Sequence, residues 1–480
     1  MPPKFGTSGL RGLVVELTEA LVADHVTAFA RACPTGSGLY IGRDLRPSSP
    51  AIAASVARAA RAAGLAVTDC GDVPTPALAL AAMQAGAAAV MVTGSHIPAD
   101  RNGLKFYTPL GEITKAHETA ILAALGQAPG AVAGPEPGTD PEAGARYVAR
   151  YAAAYGPAAL AGLRIGVYSH SAVGRDLLIE ALTALGAATV DLGRSATFIP
   201  VDTEAVDAAT RAQLRAWAAG GAAGGGLDAI LSTDGDGDRP LMTDATGRVI
   251  PGDVLGQITA AALGAEVVVT PVSSNTGVEA PGRFARVIRT RIGSPFVIAG
   301  MESAGMESAG GESAGGARVV GYEANGGFLL GFAATGPAGP LPPLMTRDSL
   351  LPLIAPLALA RSAGGLAALV AAEPARFTAA DRLQEVPTER SLALVAGLDA
   401  DPGARAAFLA GLGGAEVGGA EVAVDRTDGL RLTLDTGRVI HLRPSGNAPE
   451  LRCYAEAETA QAAEALLAAG LAALERALKG

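Results

Sequence analysis

Short apolar runs alternate with longer alanine-rich amphipathic stretches over the first three quarters of the chain. The short runs predict buried strands, and the longer stretches, with apolar residues at helical spacing, predict helices. Strands are predicted at 39–42, 65–68, 87–92, 163–168, 188–192, 228–231, 266–270 and 318–322, and helices at 48–63, about 175–185 and near 253. Strand, helix and strand in this order predict α/β units with largely parallel sheets.

Polar loops follow three of these predicted strands. They contain Ser95, Asp234 and Glu323. Because ligands of open α/β sheets bind at the carboxyl ends of the strands, we expect these three loops to carry the chemistry.

The pattern changes over about the last hundred residues. Runs at 429–434 and 438–442 flank Asp435-Thr436-Gly437, which is a hairpin signal. A long amphipathic helix is predicted from about 459 to 478, so this part reads as an α+β module. A Pro- and Ala-rich region at 342–356 is predicted to separate it from the rest, and 135–141 is a predicted linker.

Together these signals predict four domains, each with one polar loop. Three are α/β domains, at 1–138, 139–250 and 251–365, and the fourth, at 366–480, is α+β. A chain of 480 residues is long enough for several cores.

Charge and cysteine content narrow the class of protein. The net charge of −10 and the pI of 5.2 disfavour a general nucleic-acid or anionic-membrane surface. Three scattered cysteines with no CxxC spacing argue against disulfides or zinc and for a reducing cytoplasm. The longest apolar stretches are too short to span a bilayer, so we expect a cytoplasmic globular enzyme with no nucleic-acid or membrane partner.

A five-residue repeat interrupts the pattern. Met-Glu-Ser-Ala-Gly occurs at 301–305 and 306–310, and Gly-Glu-Ser-Ala-Gly follows at 311–315. Successive copies rotate by about 140° around a helix, so they form no apolar stripe. We therefore expect a tandem expansion at the surface, without chemistry, and deletion of 306–310 should leave turnover nearly unchanged.

The stretch Thr93-Gly94-Ser95-His96 places a hydroxyl and an imidazole on a small-residue turn, with Lys105 shortly after it. A serine exposed on such a turn can carry a covalent group. A plain solvent turn or helix N-cap is the alternative for this stretch alone.

Asp234, Asp236 and Asp238 alternate with glycines in a second loop that ends with Arg239. Three carboxylates so close would repel one another unless they converge on a hard cation. An EF-hand also begins this way, but it requires glycine at its sixth position and glutamate at its twelfth. Arg239 and Ala245 stand there, so the loop predicts a three-oxygen Mg²⁺ site open to water and phosphate rather than an EF-hand. An acidic turn between strands is the alternative.

Two further loops suit substrate contacts. Arg443 with Ser445, Gly446 and Asn447 offers a guanidinium, a hydroxyl and turn amides for an unreactive phosphate. In the other loop, Glu323 and Asn325 on a Gly-rich turn could pair with sugar hydroxyls. Each loop alone is also ordinary turn chemistry.

Taken together and in this order, the motifs resemble the α-D-phosphohexomutase superfamily, the phosphomannomutases and phosphoglucomutases, over essentially the whole chain. The resemblance rests on Gly-Leu-Arg11-Gly, the Ser95 loop with Asn-Gly-Leu-Lys105, the Asp234 loop, the Glu323 loop and the Arg443 loop. It implies three similar α/β domains and a C-terminal domain like the TATA-binding-protein fold around a central cleft.

The resemblance also implies residue roles. Ser95 would be carried as phosphoserine, and a phosphoserine oxygen would join the three aspartates at Mg²⁺. Arg11, Lys105 and Arg239 would neutralise the moving phosphoryl group, and His96 would orient the sugar hydroxyl or share acid–base work. The implied reaction interconverts hexose 1- and 6-phosphates through a 1,6-bisphosphate, which also acts as activator, in a monomer or homodimer.

Departures from the family pattern bear on the sugar. Gly94 and Ile97 stand where the serine loop commonly has Ala and Asn, and Gly327 stands where the sugar loop, commonly Gly-Glu-x-Ser-Gly-His, has histidine. This form looks more like a bacterial phosphomannomutase branch than a phosphoglucosamine mutase, with phosphoglucomutase also open. A Mg²⁺-dependent sugar phosphatase and a non-catalytic sugar-phosphate sensor are the alternatives of other classes.

Overall fold

The chain folds into two compact units. The structure, a computed structural model, describes residues 3–6, 9–128, 133–220, 226–309, 316–413, 417–445 and 449–479. One unit comprises Met1–Val269 and Gly293–Val370, and the other comprises Thr270–Ile292 and Ala371–Gly480. None of the helices in these described ranges combines the length and apolar character that a bilayer crossing requires.

The first sheet of the larger unit carries the Ser95 loop. Its strands, in spatial order, are Lys4–Phe5, Leu10–Leu13, Arg101–Thr108, Ala88–Val92, Leu39–Arg43, Val67–Asp72 and Gly138–Thr139, with Gly111–Glu112 paired to Arg101–Thr108. Its helices are Glu19–Ala32, Ser49–Ala62, Thr75–Gln84 and Lys115–Ala123. Buried apolar side chains from helices Glu19–Ala32, Ser49–Ala62 and Lys115–Ala123 and from the central strands form one core, because these elements present apolar faces to one another.

The second sheet carries the Asp234 loop. Its strands are, in order, Ala188–Leu192, Arg164–Tyr168, Ala229–Thr233, Pro240–Thr243 and Val249–Ile250. Helices Ala143–Tyr155, Arg175–Ala184 and Ala208–Ala218 belong to the same stretch of chain.

The third sheet carries the Glu323 loop. It includes, in order, Val267–Pro271, Val319–Tyr322, Phe328–Leu330 and Leu344–Asp348, and a separate short pair joins Ala334–Thr335 to Pro340–Leu341. The helices here are Gly252–Ala262, Ser294–Ala309, Leu350–Ala363 and Leu366–Ala371.

One local pattern recurs in all three sheets. A strand that pairs in parallel with its neighbour ends in the polar loop, and the chain then returns as an antiparallel strand. The strands that lead into the loops are Ala88–Val92, Ala229–Thr233 and Val319–Tyr322. This confirms the predicted α/β class, and the three loops do leave the carboxyl ends of strands.

The smaller unit contains an antiparallel sheet packed with helices. Its strands are, in order, Phe377–Gln384, Glu450–Ala457, Val439–Pro444, Leu430–Leu434 and Glu421–Asp425. Its other elements are the strand Arg286–Thr290 and the helices Thr388–Ala400, Pro402–Ala410 and Ala460–Lys479. The predicted hairpin and the long C-terminal helix are confirmed, while the four domain boundaries stay a prediction.

The region predicted as a separator at 342–356 is instead part of the fold. Leu344–Asp348 is a strand, and Leu350–Ala363 is a helix with Pro356 in its interior. The prediction was wrong because burial of nearly every apolar side chain of this helix compensates for the hydrogen bond that the proline removes.

The repeat departs from its prediction in the same way. The helix Ser294–Ala309 includes the first copy, and Met301 and Ala304 are buried. The sulfur of Met301 would lie 2.5 Å from a Cβ at Gly321, so the methionine fills space that only glycine leaves open. A surface expansion is therefore wrong for the first copy. In the second copy Met306 is 71% exposed, and Gly310 and the third copy lie outside the described residues.

Candidate active site

Ser95 is directed at the acidic loop by a left-handed backbone. Its φ is 55°, its side chain is buried, and its backbone N–H donates to Thr93 Oγ1 at 2.7 Å. The Ser95 hydroxyl donates to Asp234 Oδ2 at 2.5 Å and lies 3.2 Å from His96 Nδ1. This geometry, which non-glycine residues adopt at a cost, is common at functional sites.

Arg46 holds this loop from behind. Its guanidinium is fully buried, and Asp44 Oδ2 accepts from its Nε at 3.1 Å. The other two guanidinium nitrogens donate to four backbone carbonyls of the loop, those of Ser95 at 2.9 Å, Ile97 at 2.6 Å, Pro98 at 2.6 Å and Arg101 at 2.9 Å. A planar fork with five donors suits such a set of carbonyls.

Two contacts explain why small and aromatic residues surround Arg46. A Cβ at Gly94 would come within 2.6 Å of its Cζ, so the glycine leaves the space that the guanidinium occupies. Phe198 covers the guanidinium with its ring centroid 4.1 Å from Cζ. The substitution of Gly94 for the alanine common in the family motif thus has a local reason.

The three aspartates of the second loop converge as expected for a metal site. Asp234, Asp236 and Asp238 are fully buried, and one oxygen from each lies within 4.8 Å of the others. Oδ1 of Asp236 and Oδ1 of Asp238 are buried with no hydrogen-bond partner among the described residues. Because unsatisfied buried carboxylate oxygens are costly, the donor set fits a hard divalent cation. Burial and the two neighbouring aspartates raise the pKa of Asp234 well above its usual value.

Lys105 and Thr75 fix the orientation of these carboxylates. Lys105 Nζ donates to Oδ2 of Asp236 at 2.6 Å and also to Oδ2 of Asp238. Thr75 donates to Asp236 twice, through its hydroxyl to Oδ2 at 2.5 Å and through its backbone N–H to the carbonyl at 2.8 Å. Burial opposes ionisation of Asp236, but Lys105 outweighs it, so the pKa of Asp236 lies below its usual value.

His96 is held by Arg239 and stays neutral near pH 7. Arg239 donates to His96 Nδ1 at 2.8 Å, which makes Nδ1 an acceptor and places the ring proton on Nε2. Burial, together with Arg239 and Arg11, lowers the pKa of His96 well below 6.5. Burial and the charges of Arg239 and Arg347 lower the pKa of Arg11 to about 10, so Arg11 remains a cation.

The Glu323 loop is joined to this centre by an arginine that the sequence motifs did not include. Arg347 lies 3.4 Å from Glu323 Oε2 through one terminal nitrogen and 2.9 Å from Asp238 Oδ2 through the other. Asn325 Oδ1 accepts from the backbone N–H of Gly327 at 3.0 Å, so part of its hydrogen-bonding capacity stabilises its own turn. Both Glu323 and Asn325 are buried.

The Arg443 loop lies in the smaller unit. Arg443 Nε donates to Asp428 Oδ2 at 2.9 Å, and the backbone N–H of Ser445 donates to the carbonyl of Glu450 at 2.9 Å. Ser445 is buried. Gly446 and Asn447 lie outside the described residues.

The structure thus brings together one group of site residues: Ser95, His96, Lys105, the three aspartates and Arg239. Arg11 interacts electrostatically with Arg239, Asp236 and Asp238. Glu323 is connected to the group through Arg347. The motifs missed Asp44, Arg46, Thr75 and Arg347. A signal existed for Arg347, because the pair Arg347-Asp348 interrupts a long apolar stretch and buried charges require partners.

Comparison with known proteins agrees with this geometry. Residues 2–129 match the family description phosphoglucomutase/phosphomannomutase, alpha/beta/alpha domain I, and residues 385–473 match its C-terminal domain. The chain is 46% identical to a phosphomannomutase of Sinorhizobium fredii over 99% of both chains, and 41% identical to one of Salmonella muenchen over 95% of this chain and 92% of that one.

A solved structure of a phosphoglucomutase/phosphomannomutase family protein from Burkholderia thailandensis shares the fold. Its TM-score is 0.72 at 21% identity, over 98% of this chain and 96% of that one. Mutases of this kind are isomerases, so the predicted enzyme class is confirmed along with the predicted resemblance. Full-length identity at this level, together with the two matched domains, shows that this chain belongs to the phosphoglucomutase/phosphomannomutase family.

Proposed function

We propose that the protein interconverts mannose 1-phosphate and mannose 6-phosphate through phosphoserine at Ser95 and a hexose 1,6-bisphosphate. The observation that carries the proposal is the 2.5 Å contact between the Ser95 hydroxyl and Asp234, a member of the buried three-carboxylate cluster. A nucleophile next to a metal site and several cations is what phosphoryl transfer requires, since that reaction depends on positioning and charge neutralisation.

The roles of the site residues follow from where they lie. Ser95 would donate its phosphoryl group to the free hydroxyl of the sugar phosphate and later recover the other phosphoryl group from the bisphosphate. Asp234, Asp236 and Asp238 would hold Mg²⁺, which supplies charge stabilisation at the phosphoryl oxygens when bound. Arg11, Lys105 and Arg239 would neutralise the charge that spreads over the moving group.

His96 has a narrower role than general acid–base work on Ser95. Because its Nδ1 accepts from Arg239, its ring is oriented by that contact and presents Nε2–H as a donor. We assign it to orienting the sugar hydroxyl or a phosphoryl oxygen.

The remaining residues would bind substrate without reacting. Glu323 and Asn325 would contact the sugar hydroxyls, and Arg443 with Ser445, Gly446 and Asn447 would hold the phosphate that is not being transferred. We also propose that a hexose 1,6-bisphosphate activates the enzyme and that it acts in the cytoplasm as a monomer or homodimer.

Mannose is favoured over glucose because two relatives that match nearly the whole chain are phosphomannomutases. A phosphoglucosamine mutase of Thermobifida fusca is 30% identical over 96% of both chains, so the amino sugar is the weaker candidate.

Turnover of purified protein tests the proposal. Mannose 1-phosphate, glucose 1-phosphate and glucosamine 1-phosphate are supplied separately with Mg²⁺ and trace hexose 1,6-bisphosphate, and 6-phosphate and free phosphate are measured. Formation of 6-phosphate with mannose preferred supports the proposal. Another preferred sugar would change the substrate, and free phosphate alone would identify a phosphatase.

A further inference from the structure

Arg347 is a charged side chain enclosed by three carboxylates from two loops and one short strand. Its side chain is 2% exposed, and its nitrogens lie 2.9 Å from Asp238 Oδ2, 3.4 Å from Glu323 Oε2 and 3.4 Å from Glu112 Oε1. Asp238 belongs to the cation site, and Glu323 to the sugar loop. One guanidinium therefore contacts both binding loops at once.

Glu112 fixes the end of the strand that carries Arg347. It accepts from Ser294 Oγ at 2.7 Å, from Thr346 Oγ1 at 3.2 Å and from the backbone N–H of Arg347 at 3.3 Å. Glu112 thus contacts both the backbone and the guanidinium of Arg347. The guanidinium therefore cannot shift toward the Glu323 loop or the Asp234 loop without breaking a contact with Glu112.

The stem of Arg347 occupies the space next to Gly327. A Cβ at Gly327 would lie 2.9 to 3.1 Å from Cγ, Cδ and Cβ of Arg347. Position 327 is where the sugar-loop motif of the family commonly has histidine, and a larger side chain there would displace the arginine. In this chain, Gly327 therefore leaves the space that the stem of Arg347 occupies.

The charges show what Arg347 does to each loop. Asp238 is shared between Arg347 and Lys105, so two cations compete with a divalent metal for that carboxylate. Glu323, in contrast, gains from Arg347 a fixed orientation and a partner for its buried charge.

We propose that Arg347 is a positioning residue that couples the sugar loop to the metal loop, holding Glu323 for the sugar while weakening the hold of Asp238 on the metal. The inference rests on the proposed function in treating Glu323 as a sugar contact and Asp238 as a metal ligand. Loss of the guanidinium should then move metal affinity and sugar affinity in opposite directions.

The test uses Arg347→Gln in the full chain, with Mn²⁺ as the probe, titrated in the absence of sugar and followed by electron paramagnetic resonance. We expect the Kd for Mn²⁺ to fall by roughly three- to tenfold, because one cation beside the carboxylates is removed. The KM for mannose 1-phosphate should rise roughly tenfold, because Glu323 loses its partner. General damage to the fold would weaken both.

Arg58→Gln is the matched control, since Arg58 is an exposed arginine paired with Glu19 in the same unit. It should change neither constant. An Mn²⁺ Kd that is unchanged or higher in a folded Arg347→Gln protein would overturn the coupling.

Two further variants test the proposal if Arg347→Gln does not fold, and they measure the coupling between Arg347 and Glu323 directly. Arg347→Lys keeps the charge but not the fork, so it should leave the Mn²⁺ Kd near that of the parent and still raise KM. Glu323→Gln should weaken Mn²⁺ binding by freeing Arg347 for Asp238, and this effect should vanish when Arg347→Gln is also present. Additive effects would contradict the proposal. Because Mn²⁺ binding needs no turnover, these results stand whichever sugar the enzyme uses.

Discussion

The Ser95 loop and the Arg443 loop are held in different ways. Arg46 holds the Ser95 loop through its backbone carbonyls, and both Arg46 and Asp44 are fully buried. At the Arg443 loop a side chain is held instead, by Asp428, and the two partners are 16% and 18% exposed. A reacting atom must be placed to a fraction of an ångström, whereas a group that holds a phosphate needs charge and a donor. We therefore expect loss of the Arg46 contacts to lower kcat, and loss of the Arg443 guanidinium to raise KM.

Removal of the proposed nucleophile, Ser95, should have the largest effect. Ser95→Ala should lower kcat by roughly 10⁴-fold or more, because the variant has no hydroxyl at position 95 to carry the phosphoryl group. Turnover of mannose 1-phosphate measures it, and exposed Ser37→Ala serves as control. Substantial activity in Ser95→Ala would remove the distinction between a reacting loop and a holding loop.

Arg46→Lys tests the backbone support and should cost roughly 10²-fold in kcat, since an ammonium cannot serve four carbonyls in one plane. KM should change little because the hydrogen bonds of Arg46 go to Asp44 and to the backbone of the Ser95 loop, not to Glu323 or Asn325. Steady-state kinetics at saturating metal measure both constants. A kcat close to that of the parent protein would mean that the loop keeps its shape without the guanidinium.

Arg443→Lys tests whether the Arg443 loop contributes to binding rather than to the reaction step. Loss of the planar fork should raise KM roughly tenfold while kcat changes little, because the interaction is similar in the ground and transition states. The same assay measures it. If kcat instead fell as far as in Arg46→Lys, the Arg443 loop would also position the reacting groups.

A fall in pH should lower the stability of the larger and the smaller unit alike, and modestly. Burial lowers the pKa of His441 in the smaller unit and of His170 in the larger one to about 4. Between the unfolded pKa of about 6.5 and this value, the unfolded chain binds more protons, so stability is lost as pH falls.

At pH 5.5 each histidine should lower the free energy of unfolding by about 1 kcal/mol relative to pH 7. Denaturant titrations of the parent and of His441→Gln at the two pH values measure the contribution of His441. A difference between the proteins that does not change with pH would refute this assignment.

The sequence predicted the parts that follow from local patterns. Alternating strands and helices determined the α/β class, and the carboxyl-end rule located the Ser95, Asp234 and Glu323 loops. The convergence of the three aspartates also followed, because like charges at alternate positions have few other stable arrangements.

The residues that the sequence motifs did not include contact partners that are far away in the sequence. Arg46 contacts Arg101, and Arg347 contacts Asp238 and Glu112, pairs that no local pattern joins. Met301 was missed for the same reason, since its burial depends on the space at Gly321 rather than on the repeat itself.

The left-handed backbone of Ser95 implies a conflict between durability and chemistry. A glycine would adopt φ of 55° without strain, whereas any side chain there costs on the order of 1 kcal/mol. Ser95→Gly and Ser95→Ala both lack the hydroxyl, so the difference in their melting temperatures isolates that strain. The glycine variant should be the more stable of the two, which would show that the protein accepts a strained backbone here in order to keep a side chain at this position.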